Sequence, residues 1–469
     1  MRQRVLAWAW LLIGLALGLT AARLGLAPRI LERWPASGAS VPSTSEIRIT
    51  FNQSMDDASV AARLHVDSTQ GGEILWQGPT LVYRPSQAWA SGSTVEVRLD
   101  SGGRSRRGLS TFTGTRWSFS IAPPRLVYLW PADGPAQVYA HVPEEDEPVP
   151  LTAAPEGVID FSLGAHGTRL TYTAMRGDGS TELRELDLVR DQDRLLFACP
   201  AGERCTSPAL SPDGTTLAFV RAPARSESGG TFQPGSTRVW LLTEEDETPV
   251  SVSPEGDVAS MPLWSPQGWL AFVDSTRSAI LVVDAALGEP FAPLAVLPSR
   301  QGERGTWSPD GASLIYPDLL LPQEETSTEP GSEEALPTLE THLFRWDVAS
   351  GELTDLSAAG GLRVEDASPT FTPQGDWIIF GRRLLSQGGW TPGSQLWRMR
   401  PDGSQAELLT GEAFINHGAP AVGPQGTKLA YLRFNLEAPL DPAQIWWFDL
   451  ETLQGSRAVE VGYLPAWIP

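Results

Sequence analysis

The residues with chemistry to offer are few and scattered. Cys199 and Cys205, the only two cysteines in 469 residues, flank the turn CPAGERC that carries Pro200 and Gly202. A disulfide can close a loop of that length, and the alternative is two free thiols. A zinc site would need further Cys or His close by, and none stands there. The five histidines (His65, His141, His166, His342 and His417) are dispersed, with His166 in a turn and His141 and His342 in strand-like sequence, which points to ordinary structural roles. No G-x-S-x-G, H-E-x-x-H or G-x-G-x-x-G occurs. Lys428 is the only lysine and follows Thr427 where a Walker A loop requires Gly. Carboxylates are abundant but form no recognisable acid/base pair. RGDGST and PDGSQ resemble pieces of calcium loops without the run of oxygen ligands, and Arg176-Gly177-Asp178 reads as part of a hairpin turn. These absences predict no metal, no cofactor and no enzymatic activity.

What remains is arginine. Arg221, Arg225, Arg382 and Arg383 fall at long insertions that also carry Glu324, Glu325, Glu333 and Glu334. Exposed ion pairs contribute little to stability, so arginines gathered there are read as recognition groups of a binding face. That reading depends on the elements that would bring them together.

Composition favours short strands and many turns: 45 Gly and 40 Pro accompany 41% hydrophobic residues. A net charge of −21 repels phosphate backbones, so nucleic acid is excluded as a partner. Arg2 and Arg4 precede the uncharged run Val5 to Ala22. Its length fits an uncleaved signal anchor over residues 1–30, the preferred reading, with cleavage after Ala22 as the alternative. Either way the body is expected outside the cytoplasm, on the membrane through the N-terminal helix or secreted.

From 34 to 121 short alternating strands, EIRITF, LVYRP, TVEVRL and RWSFSI, predict a β-sandwich. WPASGASVPSTSEIRITFNQSMD, PSQAWASGSTVEVRL and RWSFSI resemble the bacterial Ig-like domain of the S-layer-protein type. That resemblance implies a spacer or adhesion module. APPR (122–125) then makes a stiff junction.

Beyond it an apolar–small–Pro–x–Gly unit recurs at Leu210, Trp264, Trp307, Phe371 and Val422, 43 to 64 residues apart, with a degenerate copy at Leu163. Each copy is followed by an aliphatic–x–aromatic strand and then by a third strand. The block resembles the TolB-type (WD40-like) β-propeller repeat and implies a propeller over 125–469. The C-terminal YLPAWIP copies the front of the unit and stops, while RLVYLW (125–130) supplies the missing next strand. The expected fold is therefore all-β: an N-terminal membrane helix, an Ig-like sandwich and a seven-bladed propeller closed by the C-terminal strand.

Insertions 221–237, 319–340 and 382–394 should share the face opposite the SPDG turns and line one side of it. The expected function is a membrane-anchored extracytoplasmic scaffold binding a protein or cell-envelope component. The alternatives are a propeller-based hydrolase or lectin acting on envelope polymers through the central funnel, and a structural spacer.

Overall fold

The structure is a computed structural model. It describes residues 27–469 except 68–70, 112, 143–146, 166, 227–231, 235, 245–247, 289–290, 321–338, 359–360 and 387–389, with backbone alone at 224–226 and 232–234. The predicted anchor run Val5–Ala22 and the acidic stretch 321–338 lie outside the described residues. Among the described residues no helix is long and apolar enough to cross a membrane. The chain divides into two compact units, one up to Pro123 and one from Pro124.

In the first unit, period-two alternation buries Ile47, Ile49 and Phe51 on one side of their strand. That strand lies in a sheet ordered Ile30–Trp34, Ile47–Phe51, Thr80–Pro85, Gly72–Gln77. The second sheet runs Ser40–Val41, Thr115–Ile121, Thr94–Leu99, Leu64–Asp67. The core of the sandwich holds Trp89, whose indole N–H donates to the Ser45 carbonyl at 2.8 Å, satisfying the polar tip of a buried ring. Glu46 is buried and pairs with Arg48 at 3.0 Å and Arg84 at 2.9 Å.

The second unit is a β-propeller of four-stranded antiparallel groups, and its repeated turn explains the repeated sequence. In SPDG, the Ser211 hydroxyl donates to Asp213 at 2.6 Å and accepts the Thr216 N–H at 2.9 Å, while Gly214 takes φ +75°. Ser308, Asp310 and Gly311 repeat the arrangement. A short hydroxyl side chain, a carboxylate and a left-handed glycine together close this hairpin.

After each turn, the aliphatic–x–aromatic strand sends its outer two residues one way and its middle residue the other. Leu314 and Tyr316 pack on Ala271 and Val273 of the group before. Ile378 and Phe380 pack in turn on Ile315, and Leu429 and Tyr431 on Ile379. The sequence of contacts returns to its start, because Leu126 and Tyr128 pack on Ala430 and Ile445 of the last group.

Tyr463–Ile468 pairs antiparallel with Arg125–Trp130, so the group nearest the N-terminal side of this unit is completed from the C-terminal side. Trp467 donates its indole N–H to the Ala421 carbonyl at 2.9 Å, the bond that Trp264 makes to Ala209 at 2.9 Å in an internal copy. Pro469 lies against Gly167, where an added Cβ would stand 2.3 Å from its Cδ. The terminal copy therefore makes the contacts of an internal one.

Removing Tyr463 to Pro469 should leave the Arg125–Trp130 edge unpaired and abolish the melting transition of the second unit, leaving that of the first. Trp467→Ala alone should cost about 3–5 kcal/mol in denaturant unfolding. A truncated chain that melts like the intact one would show the closing strand to be dispensable.

Candidate functional site

The innermost strands carry a shared irregularity. Pro208, Pro262, Pro369, Pro420 and Pro465 have no N–H to give a strand ladder. Pairing skips at each: between Thr206 and Ala209, Ser260 and Leu263, Ala367 and Thr370, Gly418 and Ala421, and Tyr463 and Ala466. The residue before each proline is forced into the left-handed region: Ser207 (φ +53°), Met261 (+57°), Ser368 (+51°), Ala419 (+47°) and Leu464 (+53°). Non-glycine residues seldom adopt it, and five at one register level make a repeated device that re-aims side chains. Met261 and Leu464 stay 40% and 43% exposed on strands that otherwise build the core. In one of the two copies without a proline here, Asp160 accepts the Ser207 N–H at 2.7 Å. Burial pushes the Asp160 carboxyl above its ordinary pKa, against the hydrogen bonds from Thr173 and Ser207.

A second set of equivalent positions closes the far ends of the neighbouring strands, two residues after the buried Phe219, Phe272, Tyr316, Phe380 and Tyr431. Here stand Arg221, Asp274, Asp318, Arg382 and Arg433, and each meets an opposite charge. Arg221 pairs with Glu203, Asp274 with Arg277, Asp318 with Arg300, Arg382 with Asp366, and Arg433 with Glu412. The three arginines also lie over third-strand indoles, with Arg221 4.9 Å from Trp240, Arg382 5.3 Å from Trp397 and Arg433 4.6 Å from Trp446.

The Arg382 group is the deepest. Its guanidinium makes two 2.7 Å hydrogen bonds to Asp366, with the side chains 3% and 0% exposed. Ser357 donates to Asp366 at 2.6 Å, and Asp355 accepts the Ser357 N–H and pairs with His342 Nδ1 at 2.8 Å. Burial works against a charge on His342, but the hydrogen bond and charge of Asp355, with Asp366 and Glu340, hold it above the ordinary histidine pKa. His417 differs: burial pushes it down although the Ser394 carbonyl and Glu412 favour its charged form.

These placements revise the arginine reading. Arg382, expected at an exposed loop, is a buried strand residue because Asp366 faces it across the ladder. Arg383 points away, is 38% exposed and pairs with Glu365. Arg221 is half-buried on its strand Thr216–Ala222. Arg225 falls in the short strand Ala224–Ser226, paired with Phe232–Pro234, and its side chain lies outside the description. Glu324, Glu325, Glu333 and Glu334 also lie outside it. Cys199 and Cys205 are joined as a buried disulfide with Cα atoms 5.9 Å apart. Among the described residues no group of His, Cys, Asp and Glu could hold a metal ion. On the turn side, which sequence reasoning left without a role, Arg398 (4.5 Å) and Arg400 (3.9 Å) both lie over the Trp377 ring beside a small cleft.

Residues 26–121 match the bacterial Ig-like domain family. An uncharacterized peptidase of Bacillus subtilis (strain 168) is 24% identical over 201 residues, covering 38% of this chain and 29% of the relative. The chain spans less than half the length of the curated relatives it matches. Among solved structures, TolB from Acinetobacter baumannii superposes with a TM-score of 0.43 and 12% identity over 87% of this chain and 84% of that one. A puromycin hydrolase does so with 0.49 and 15% identity over 92% and 57%. The relative named as a peptidase overturns the expectation that the chain is no enzyme. Missing short motifs test only for the active sites those motifs specify, and a propeller specifies none of them.

Arg382→Ala should leave Asp366 as an uncompensated buried charge and cost about 3–5 kcal/mol in denaturant unfolding. Arg383→Ala should change stability by less than about 1 kcal/mol. Equal losses would show that the buried pair is not the stabilising one. For His342, a folded pKa above the unfolded one means stability present in acid and lost as pH rises. The deficit of His342→Gln against the native chain, followed by thermal melts, should be largest at about pH 5–6 and shrink above about pH 7.

Proposed function

We propose that residues 125–469 form a seven-bladed propeller whose central channel admits an extended peptide, as the substrate-handling part of a propeller-based hydrolase. The observation that carries this reading is the level of five proline-linked bulges on the innermost strands. There the chain breaks its own ladder, leaves backbone polar groups without ladder partners and keeps Met261 and Leu464 open to solvent. An extended peptide offers matching backbone groups and apolar side chains. A polysaccharide would call for aromatic platforms at this level, and these positions hold Ser207, Met261, Ser368, Ala419 and Leu464 instead. The similarity to a relative named as a peptidase supports the same direction.

The proposed setting is extracytoplasmic and at the membrane. It rests on the apolar run Val5 to Ala22 and gains support from the disulfide Cys199–Cys205, which suits an oxidising compartment. An Ig-like unit of the S-layer-protein type would serve there as a spacer, with protein or cell-envelope material as the partner.

Fluorescein-labelled casein, incubated with the full chain, should be cleaved to small peptides or bound saturably in fluorescence anisotropy. A chain that neither cleaves nor binds it would overturn the peptide reading.

A further inference from the structure

Five of the seven channel-level positions are small or apolar, and two copies depart from the pattern, one with Asp160 and one with Arg304. Counting back three residues from the apolar residue before each turn gives Asp160, Ser207, Met261, Arg304, Ser368, Ala419 and Leu464. Arg304 precedes the short innermost strand Thr306–Trp307, where Gly305 takes the place of the proline. Gly305 presses on the adjacent strand so closely that a Cβ would stand 2.0 Å from the Ile315 carbonyl oxygen.

Arg304 stands apart from the strand-end cations of this acidic chain. The arginines at the strand ends all meet carboxylates, at Glu203, Asp366 and Glu412. Among the described residues, no carboxylate, carbonyl or ring pairs with the Arg304 side chain. Asp160, the acid of the same level, is engaged with the Ser207 N–H. Arg304 is exposed to solvent, and desolvation by the protein around it pushes its pKa down. An exposed guanidinium with no partner among the described residues has donors to offer a ligand. A carboxylate matches its fork in a two-bond geometry.

We propose that Arg304 is the channel's receptor for the C-terminal carboxylate of an extended peptide, with Met261 and Leu464 receiving apolar side chains just before that terminus. The proposal rests on the peptide reading of the channel. Ser207 and Ser368 stand at the same level as further donors. Met261 suits varied apolar side chains because its thioether arm is flexible.

The test uses the full chain and a short peptide ending in Ala-Leu, labelled with fluorescein at its N-terminus, as the free acid and as the C-terminal amide. Fluorescence anisotropy should show the acid binding roughly tenfold or more tighter than the amide. Arg304→Gln should bind both forms alike, at the strength of the amide on the native chain. Its melt should match the native one, since Arg304 has no partner among the described residues. The comparison of acid with amide on the native chain stands even where the variant folds poorly. Equal binding of acid and amide by the native chain would overturn the role of Arg304 and leave the peptide reading intact. Binding of neither form, together with inert casein, would overturn both.

Discussion

The propeller depends on one contact made repeatedly around a circle. An aliphatic and an aromatic residue two apart on each second strand press into the back of the preceding group, and the Leu126–Tyr128 pair carries the contact across to the last group. Each such interface buries apolar area on both partners, and burial of that kind is the main favourable term in folding. No group can bury both of its faces alone. Stability is therefore a property of the ring, and the strand Tyr463–Ile468 matters because it lets the circle of interfaces meet itself.

Electrostatics are arranged within that frame. A chain of net charge −21 has many more acids than bases, so arginines acquire carboxylate neighbours readily. At the strand ends those neighbours are across the ladder or on the next element, and the pairs range from the buried Arg382–Asp366 to the half-exposed Arg383–Glu365. Depth decides their character. The buried pair fixes two strands to each other and is damaging to break, while the exposed one contributes little.

Local features were legible in the sequence because each is written within a few neighbouring residues. The SPDG turn needs only its own hydroxyl, carboxylate and glycine, and the all-β character follows from its recurrence. The terminal YLPAWIP was recognisable because it keeps the proline and tryptophan spacing of internal copies. What escaped depends on partners distant in sequence. Arg382 looked like a loop residue until Asp366, sixteen positions earlier, proved to face it at hydrogen-bonding distance. Arg304 escaped for another reason. Its copy lacks the proline on which the repeat was aligned, and counting from Trp307 instead would have placed it at the level of Ser207 and Met261.

The shared sheet at the seam has a consequence for how the protein is made. Within this unit Arg125–Trp130 emerges first, yet the strand that covers one of its edges is the last of the unit to appear. Throughout synthesis, and throughout any passage of the chain across a membrane in an extended state, that edge has no native partner. More than three hundred residues separate the two halves of the sheet, a large loop to close before the pairing contributes anything. The ring is thus committed to completing itself after the whole unit has been delivered. An unpaired edge awaiting its partner is also one to which a second nascent chain could donate its own final strand, so crowding of unfinished copies favours exchange of that strand between molecules.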